Sequence, residues 1–132
     1  MAVVRCPVTT LRGVPVITAP PEIDMASAEA LRAQLAETAG RGHATMVVDL
    51  SGTRFCDSAG LHVLIRAHRA AVAEGGELRL VIRALGVLRI FAITGLDRVM
   101  PRFADRAAAV APLPAVAIDP VWLSEPRIVP AA

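Results

Sequence analysis

The sequence predicts an α/β fold: a mixed, mostly parallel sheet with helices packed on it, in the order ββαβαβαβα. Three observations predict it. Residues 44–50 (ATMVVDL) form a continuous, β-branched apolar run, the mark of a strand buried on both faces as in a parallel sheet. Apolar runs of strand length alternate with segments of helical period along the chain. Glycines stand where the helical segments should stop, at Gly40 and Gly42, at Gly75-Gly76 and at Gly95. Alternation of this kind places helices over a parallel sheet through crossover connections.

Each element follows from local chemistry. Val3 to Leu11 and Gly13 to Thr18 read as two strands, with Arg12-Gly13 as the tight turn between them. APPEID follows as a rigid loop, since two prolines remove donors and fix φ. Asp24 can cap the next segment, and Met25 to Ala39 is rich in Ala, Leu, Glu, Arg and Gln, all good helix formers. Ala28, Leu31 and Leu35 share its inner face.

After the 44–50 strand, SGTRFCDSAG reads as a loop. Leu61 to Glu74 is a helix with Leu61, Leu64, Ile65, His68 and Val72 on one face. Glu77 to Arg83 is a strand, and Gly86 to Thr94 a short helix turning Val87, Ile90 and Phe91 inward. Val99-Met100 is the candidate for a last short strand, and Arg102 to Val110 for a final helix. One domain therefore spans residues 1–110. From Ala111 onward five prolines fall in 22 residues, a spacing that no helix or central strand survives, so residues 111–132 read as a Pro-rich tail. Trp122 and Leu123 are its candidates for docking on the body or on a partner, the alternative being an unstructured tail.

Composition removes several function classes. Mean hydropathy is +0.54, yet charges or prolines interrupt every apolar run before the ~20 residues a spanning helix needs. Arg5 interrupts the N-terminal apolar stretch, which argues against a signal peptide, and the chain is expected to be cytoplasmic with no membrane insertion. All 14 basic residues are Arg, scattered from Arg5 to Arg127, and the net charge is only +2. Nucleic-acid binding usually needs a basic stripe interleaved with stacking aromatics, and here aromatics are 3% and none sits in an Arg cluster. Cys6 and Cys56 lie far apart in a chain expected to remain in a reducing compartment, so both read as buried thiols rather than a disulfide.

The chemistry-bearing segment is FCDSAGLHVLIRAH. A buried strand delivers a polar loop, and Asp57-Ser58 sits immediately before a helix. Ser58 is there the expected N-cap, with Asp57 favoured at the positive end of the helix dipole. The same placement makes the Ser58 hydroxyl accessible to a kinase. A phosphate there would add about 1.5 to 2 negative charges beside Asp57 and repel an acidic partner surface. Ala59 and Gly60 leave little side chain to obstruct close approach by another protein.

Catalytic and metal readings are weaker. A nucleophile elbow reads G-x-S-x-G, and here Cys56 stands two before Ser58. A thiol nucleophile at Cys56 needs a nearby His. His62 and His68 are six apart, on different faces of one helix, so they cannot chelate a metal together; His68 on the apolar face reads as a core residue, and His43 lies in a loop. No phosphate-binding glycine-rich loop is present, so neither a cofactor nor a metal is expected.

The blocks PEIDMASAEALRAQL, MVVDLSGTRFCDSAGLHVLIRAHRAA, GGELRLVI and FAITGLDRVMPRFADRAAAV, in that order, resemble the STAS domain of bacterial anti-sigma factor antagonists, from about Val3 to Val110. The resemblance implies a STAS-like single domain with no catalysis. It implies that the acceptor serine is Ser58, preceded by Asp57, and that Glu22 and Asp24 share the partner surface with them. It further implies a partner: an anti-sigma factor with serine kinase activity, which the unphosphorylated protein sequesters to free a sigma factor, with a phosphatase for the reverse step. Ala59 departs from the family, which often has a small hydroxyl residue there, so Ser58 is the one ready acceptor, ahead of Thr53 and Ser51; the Pro-rich tail is no part of the family pattern. Two other roles stay open on the sequence: a STAS scaffold subunit of a signalling or lipid-transport assembly that makes no use of Ser58, and a small serine or thiol hydrolase.

Overall fold

Arg12 and Gly13 make the first reversal of the chain, and both adopt left-handed backbone, φ 51° and 79°. Two such residues in a row form the turn whose twist matches a hairpin, and they join β1 (Val8–Leu11) to β2 (Val14–Thr18) with Leu11 opposite Val14. The computed structural model describes residues 6–111. The remaining elements are β3 (Glu22–Ile23), α1 (Met25–Gly40), β4 (Met46–Leu50), β5 (Phe55–Cys56), α2 (Ser58–Ala73), β6 (Leu78–Ile82), α3 (Leu85–Thr94), a 3-10 turn at Leu96–Arg98, β7 (Arg102–Phe103) and α4 (Arg106–Val110).

The main sheet runs β1-β2-β4-β6-β7, antiparallel only at its first pair. β4 lies at its centre, and all five of its residues are buried, Met46, Val47, Val48 and Leu50 as their apolar chemistry predicts and Asp49 with them. Alternation along the strands then divides the core in two. Met46, Val48, Leu50, Leu78, Leu80 and Ile82 point to the front face, where Leu31 and Leu35 of α1, Leu64 of α2, and Val87 and Phe91 of α3 cover them. Val47 and Val81, with Val16, point to the back face, where Ala109 and Val110 of α4 pack.

The back face also holds charge. Asp49 on buried β4 is 5% exposed; Arg106 Nε of α4 donates to its Oδ2, and the Ser51 amide donates to its Oδ1 at 2.8 Å. Arg106 also donates to Thr18 Oγ1 at 2.8 Å. Arg79 reaches the other end of α4, donating to the carbonyls of Ala109 (2.9 Å) and Ala111 (3.3 Å) and pairing with Glu77. Two guanidinium groups thus pin a five-residue helix that could not persist alone. Burial by itself would raise the Asp49 pKa; the hydrogen bonds from Ser51 and the Arg106 cation outweigh it and hold the carboxyl below its usual range. A carboxyl depressed in the folded state contributes stability above its unfolded pKa and loses it as pH falls through the folded value. Arg106→Leu should therefore cost about 2 kcal/mol at neutral pH, the low side for a buried pair because the guanidinium is partly solvated. Thermal unfolding followed from neutral pH down to the carboxylate range should show wild type and variant converging as Asp49 is protonated.

His68 is buried on α2 with its Nδ1 accepting the Leu78 amide at 3.2 Å, the satisfied core residue that its place on the apolar face predicts. Burial pushes its pKa down, against a smaller pull upward from Glu77, so the ring is held neutral with its proton on Nε2. Cys6 and Cys56 are free and buried.

Four expectations are corrected. The last strand is Arg102–Phe103 rather than Val99-Met100. Val99 is 51% exposed and Met100 turns into the front core after the 3-10 turn, and pairing with β6 begins once the Pro101 carbonyl has accepted the Leu80 amide. The final helix consequently starts at Arg106, capped by Asp105, and not at Arg102. Val72 is exposed and Ala71 takes the inward place at the end of α2. A two-stranded sheet of β3 and β5 forms inside the two segments expected to be loops. The Pro-rich tail beyond Ala111, with Trp122 and Leu123, and the first residues of the N-terminal strand lie outside the described residues. No helix among the described residues is long and apolar enough to cross a membrane.

Candidate functional site

The small sheet builds the site. After β4, Thr53 is fully buried and its hydroxyl donates to the Pro20 carbonyl at 2.8 Å. The Arg54 amide donates to the Pro21 carbonyl (2.7 Å) and the Asp57 amide to the Ile23 carbonyl (3.0 Å). Between those bonds β3 and β5 run parallel, Glu22 opposite Phe55 and Ile23 opposite Cys56. Asp24 and Asp57 therefore occupy equivalent positions, each one residue past its strand and each capping a helix. Two helix N-termini emerge side by side at one end of the molecule.

The caps are alike in chemistry. Asp57 accepts from the amides of Ala59 (2.9 Å) and Gly60 (3.2 Å). Asp24 accepts from those of Ala26 (3.1 Å) and Ser27 (3.0 Å), and the Ser27 hydroxyl closes the box by accepting the Asp24 amide and donating to the Glu22 carbonyl. The Ser27 amide, followed by its hydroxyl, holds the Asp24 carboxyl below its ordinary range. Asp57, not Ser58, is thus the N-cap of α2, which corrects the sequence expectation. An aspartate reaches the amides two and three residues on, and the serine after it already has helical backbone. The consequence is chemical: the Ser58 hydroxyl has no capping duty and stands exposed on the first turn.

Gly60 is buried, so it offers a partner no surface. Its contribution is close approach: a Cβ there would lie 2.6 Å from Ile23 Cγ2 and 2.7 Å from Cys56 Sγ. Ala59 is half-buried, and Glu22 and Asp24 are exposed. Glu22 forms an open ion pair with Arg54 at 3.7 Å, both side chains being mostly in solvent, worth little. Glu22, Asp24, Asp57 and Ser58, far apart in sequence, are brought to one end. Of the other hydroxyls weighed as acceptors, Thr53 is sequestered and Ser51 is half-buried.

Two residues at this end escaped the sequence reading. Met25, the first residue of α1, is 79% exposed, and Phe55, opposite Glu22, is 49% exposed. A large aromatic inside an otherwise polar loop was the available signal for Phe55; Met25 carried none, since methionine at a helix start is unremarkable.

The arrangement does not favour nucleophilic chemistry. Burial, with a further contribution from the Asp57 carboxylate, pushes the Cys56 thiol up to about 11, so it stays protonated at neutral pH. No histidine hydrogen-bonds to Ser58 or Cys56, and no cluster of metal-ligating side chains forms, among the described residues.

Comparison with known proteins agrees with this geometry. The family model described as "Mlab, STAS domain" matches residues 7–102. The anti-sigma-B factor antagonist of Bacillus subtilis (strain 168) is 34% identical over 79 residues, which cover 60% of this chain and 72% of that protein. The crystal structure of an anti-sigma factor antagonist from Mycobacterium paratuberculosis superposes with a TM-score of 0.73 at 30% identity, covering 80% of this chain and 89% of that one. The Bacillus cell fate determinant SpoIIAA in its phosphorylated form shares the fold at 22% identity, TM-score 0.62, over 78% of this chain and 95% of that one. On the match from residue 7 to residue 102 and the shared fold, the chain belongs to the STAS-domain family of anti-sigma factor antagonists.

Proposed function

We propose that this protein is an anti-sigma factor antagonist that docks through the end carrying Ser58, and that phosphorylation of Ser58 ends the docking. The observation that carries the reading is the exposed, unengaged Ser58 hydroxyl one residue past the Asp57 cap. The helix amides of Ala59 and Gly60 are already taken by Asp57, so neither is free to hold a phosphate on Ser58. It would project outward as about 1.5 to 2 added negative charges beside Asp57 and close to Asp24 and Glu22. Such a group blocks a docking surface and leaves the fold alone.

The partner is an anti-sigma factor with serine kinase activity, sequestered in the cytoplasm so that a sigma factor is freed, and a phosphatase restores the active form. The protein itself acts by binding and not by catalysis. Met25 and Phe55 supply apolar contact beside the acceptor, the combination of a desolvated anchor and a charged rim that protein interfaces use. Incubation with ATP and the cognate kinase, followed by intact mass measurement, should show a gain of one phosphate that Ser58→Ala abolishes. A stable complex whose affinity ignores every Ser58 substitution would point instead to a scaffold role for the same fold.

A further inference from the structure

Between α1 and α2, from the turn after Ser58 to the C-terminal ends of both helices, lies an open groove of about 1010 Å³. Its lining is built of Ala36 and Ala39 on α1 and Ala67 and Ala70 on α2, and its rim carries Arg32 and Arg66. These four alanines leave both helices short of side-chain volume where a partner segment could lie. Arg66 has no carboxylate partner among the described residues, while Arg32 is paired only with exposed Glu29. His43 and His62 also line it, and Glu74 is its one acidic residue. From His62 to Ala73 the groove extends along about 17 Å of helix.

We propose that this groove is filled by the chain's own Pro-rich segment, with residues 119–125 (DPVWLSE) lying along it and Trp122 seated over the alanines. Three observations choose this occupant. The first is where the domain ends: the Ala111 carbonyl is held by Arg79, which lies one residue past Leu78, the partner of Met46, and Met46 lines the groove. The chain therefore leaves the domain at the groove's own end of the sheet. The second is reach: the eleven residues from Ala111 to Trp122 span up to about 36 Å when extended, ample for passing around that end. Prolines at 112, 114 and 120 favour the extended form, in which five residues such as 120–124 cover about 16 Å, the length of the groove. The third is charge: Asp119 and Glu125 bracket Trp122-Leu123, and the rim they would meet is basic. A second copy of the chain is the competing occupant.

Trp122 is the one tryptophan of a chain without tyrosine, so its emission reports on this site alone. In the full-length protein the emission should be shifted to shorter wavelength, and quenching by acrylamide should be several-fold weaker than for N-acetyltryptophanamide. Ala36→Glu/Ala70→Glu should return both to the solvent-exposed values, while Ala33→Glu, an exposed alanine of α1 outside the groove, should not. Asp119→Arg/Glu125→Arg perturbs the segment without touching the domain and should give the same release. Emission typical of exposed indole in the wild type overturns the proposal. So does protection that survives the groove and segment variants, or protection that disappears on dilution, the signature of a second copy.

Discussion

Ser58→Glu will bind the anti-sigma partner about 100-fold more weakly than wild type. A like charge placed in a desolvated interface costs several kcal/mol, and each 1.4 kcal/mol is tenfold in affinity. The substituted carboxylate joins Asp57, Asp24 and Glu22 at one end of the molecule, and the amides of Ala59 and Gly60 are already engaged by Asp57. The fold should not suffer. Ser58 is exposed on the first helical turn, where a negative charge is favoured by about 0.3 to 1 kcal/mol. The variant's melting temperature should equal or slightly exceed that of wild type, which separates lost docking from lost structure. Ser58→Ala should keep wild-type affinity and resist the kinase. Isothermal titration of the three proteins against the partner decides it; equal affinities across all three would remove Ser58 from the mechanism.

Gly60→Ala will destabilise the protein by about 2 kcal/mol, although alanine is the better helix former. Intrinsic propensity favours the alanine by up to about 1 kcal/mol. Against that, its methyl would lie 2.6 Å from Ile23 and 2.7 Å from Cys56, both themselves buried with no room to retreat. Overpacking of a filled core costs about 1 to 3 kcal/mol, so the clash wins. The relief available is to push β3 and the start of α1 away from α2, and that separates the two caps that form the site. Chemical denaturation should show the loss, and partner affinity should fall with it. Gly52→Ala, where the added methyl meets nothing within 4 Å, should leave both unchanged and serves as the control. A Gly60→Ala protein as stable as wild type would show that the two helix starts can part without cost.

The alternation of apolar strands and periodic helices was legible because each such element buries a continuous face, and burial leaves a pattern in the residues themselves. β4 is the clearest instance: a run apolar but for Asp49 became the sheet's central strand. The end of the domain was harder. Val99-Met100 has strand chemistry, but Pro101 shifts pairing to Arg102-Phe103, and the preference of two residues is too weak to outvote a hydrogen bond made across the sheet. β3 and β5 were illegible for a related reason. Two residues carry no period, and each exists only because the other lies beside it. Similarly, Asp57 and Ser58 are both good caps in sequence, and which of them caps was decided by where the β3–β5 ladder releases the chain, at the Asp57 amide.

By itself the sequence determined the α/β layering, the helix that Asp24 begins, the buried character of both thiols and of His68, and the segment that carries the proposed acceptor serine, because each depends on side-chain chemistry at short range. Only the tertiary structure decided that Glu22 and Asp24 stand beside Asp57 and Ser58, that the serine hydroxyl is free because its neighbour took the cap, and that Gly60 serves by being small. Those are properties of contacts across more than thirty residues of chain, and a contact at that separation is set by the packing of the whole core, to which no local run of residues holds the key.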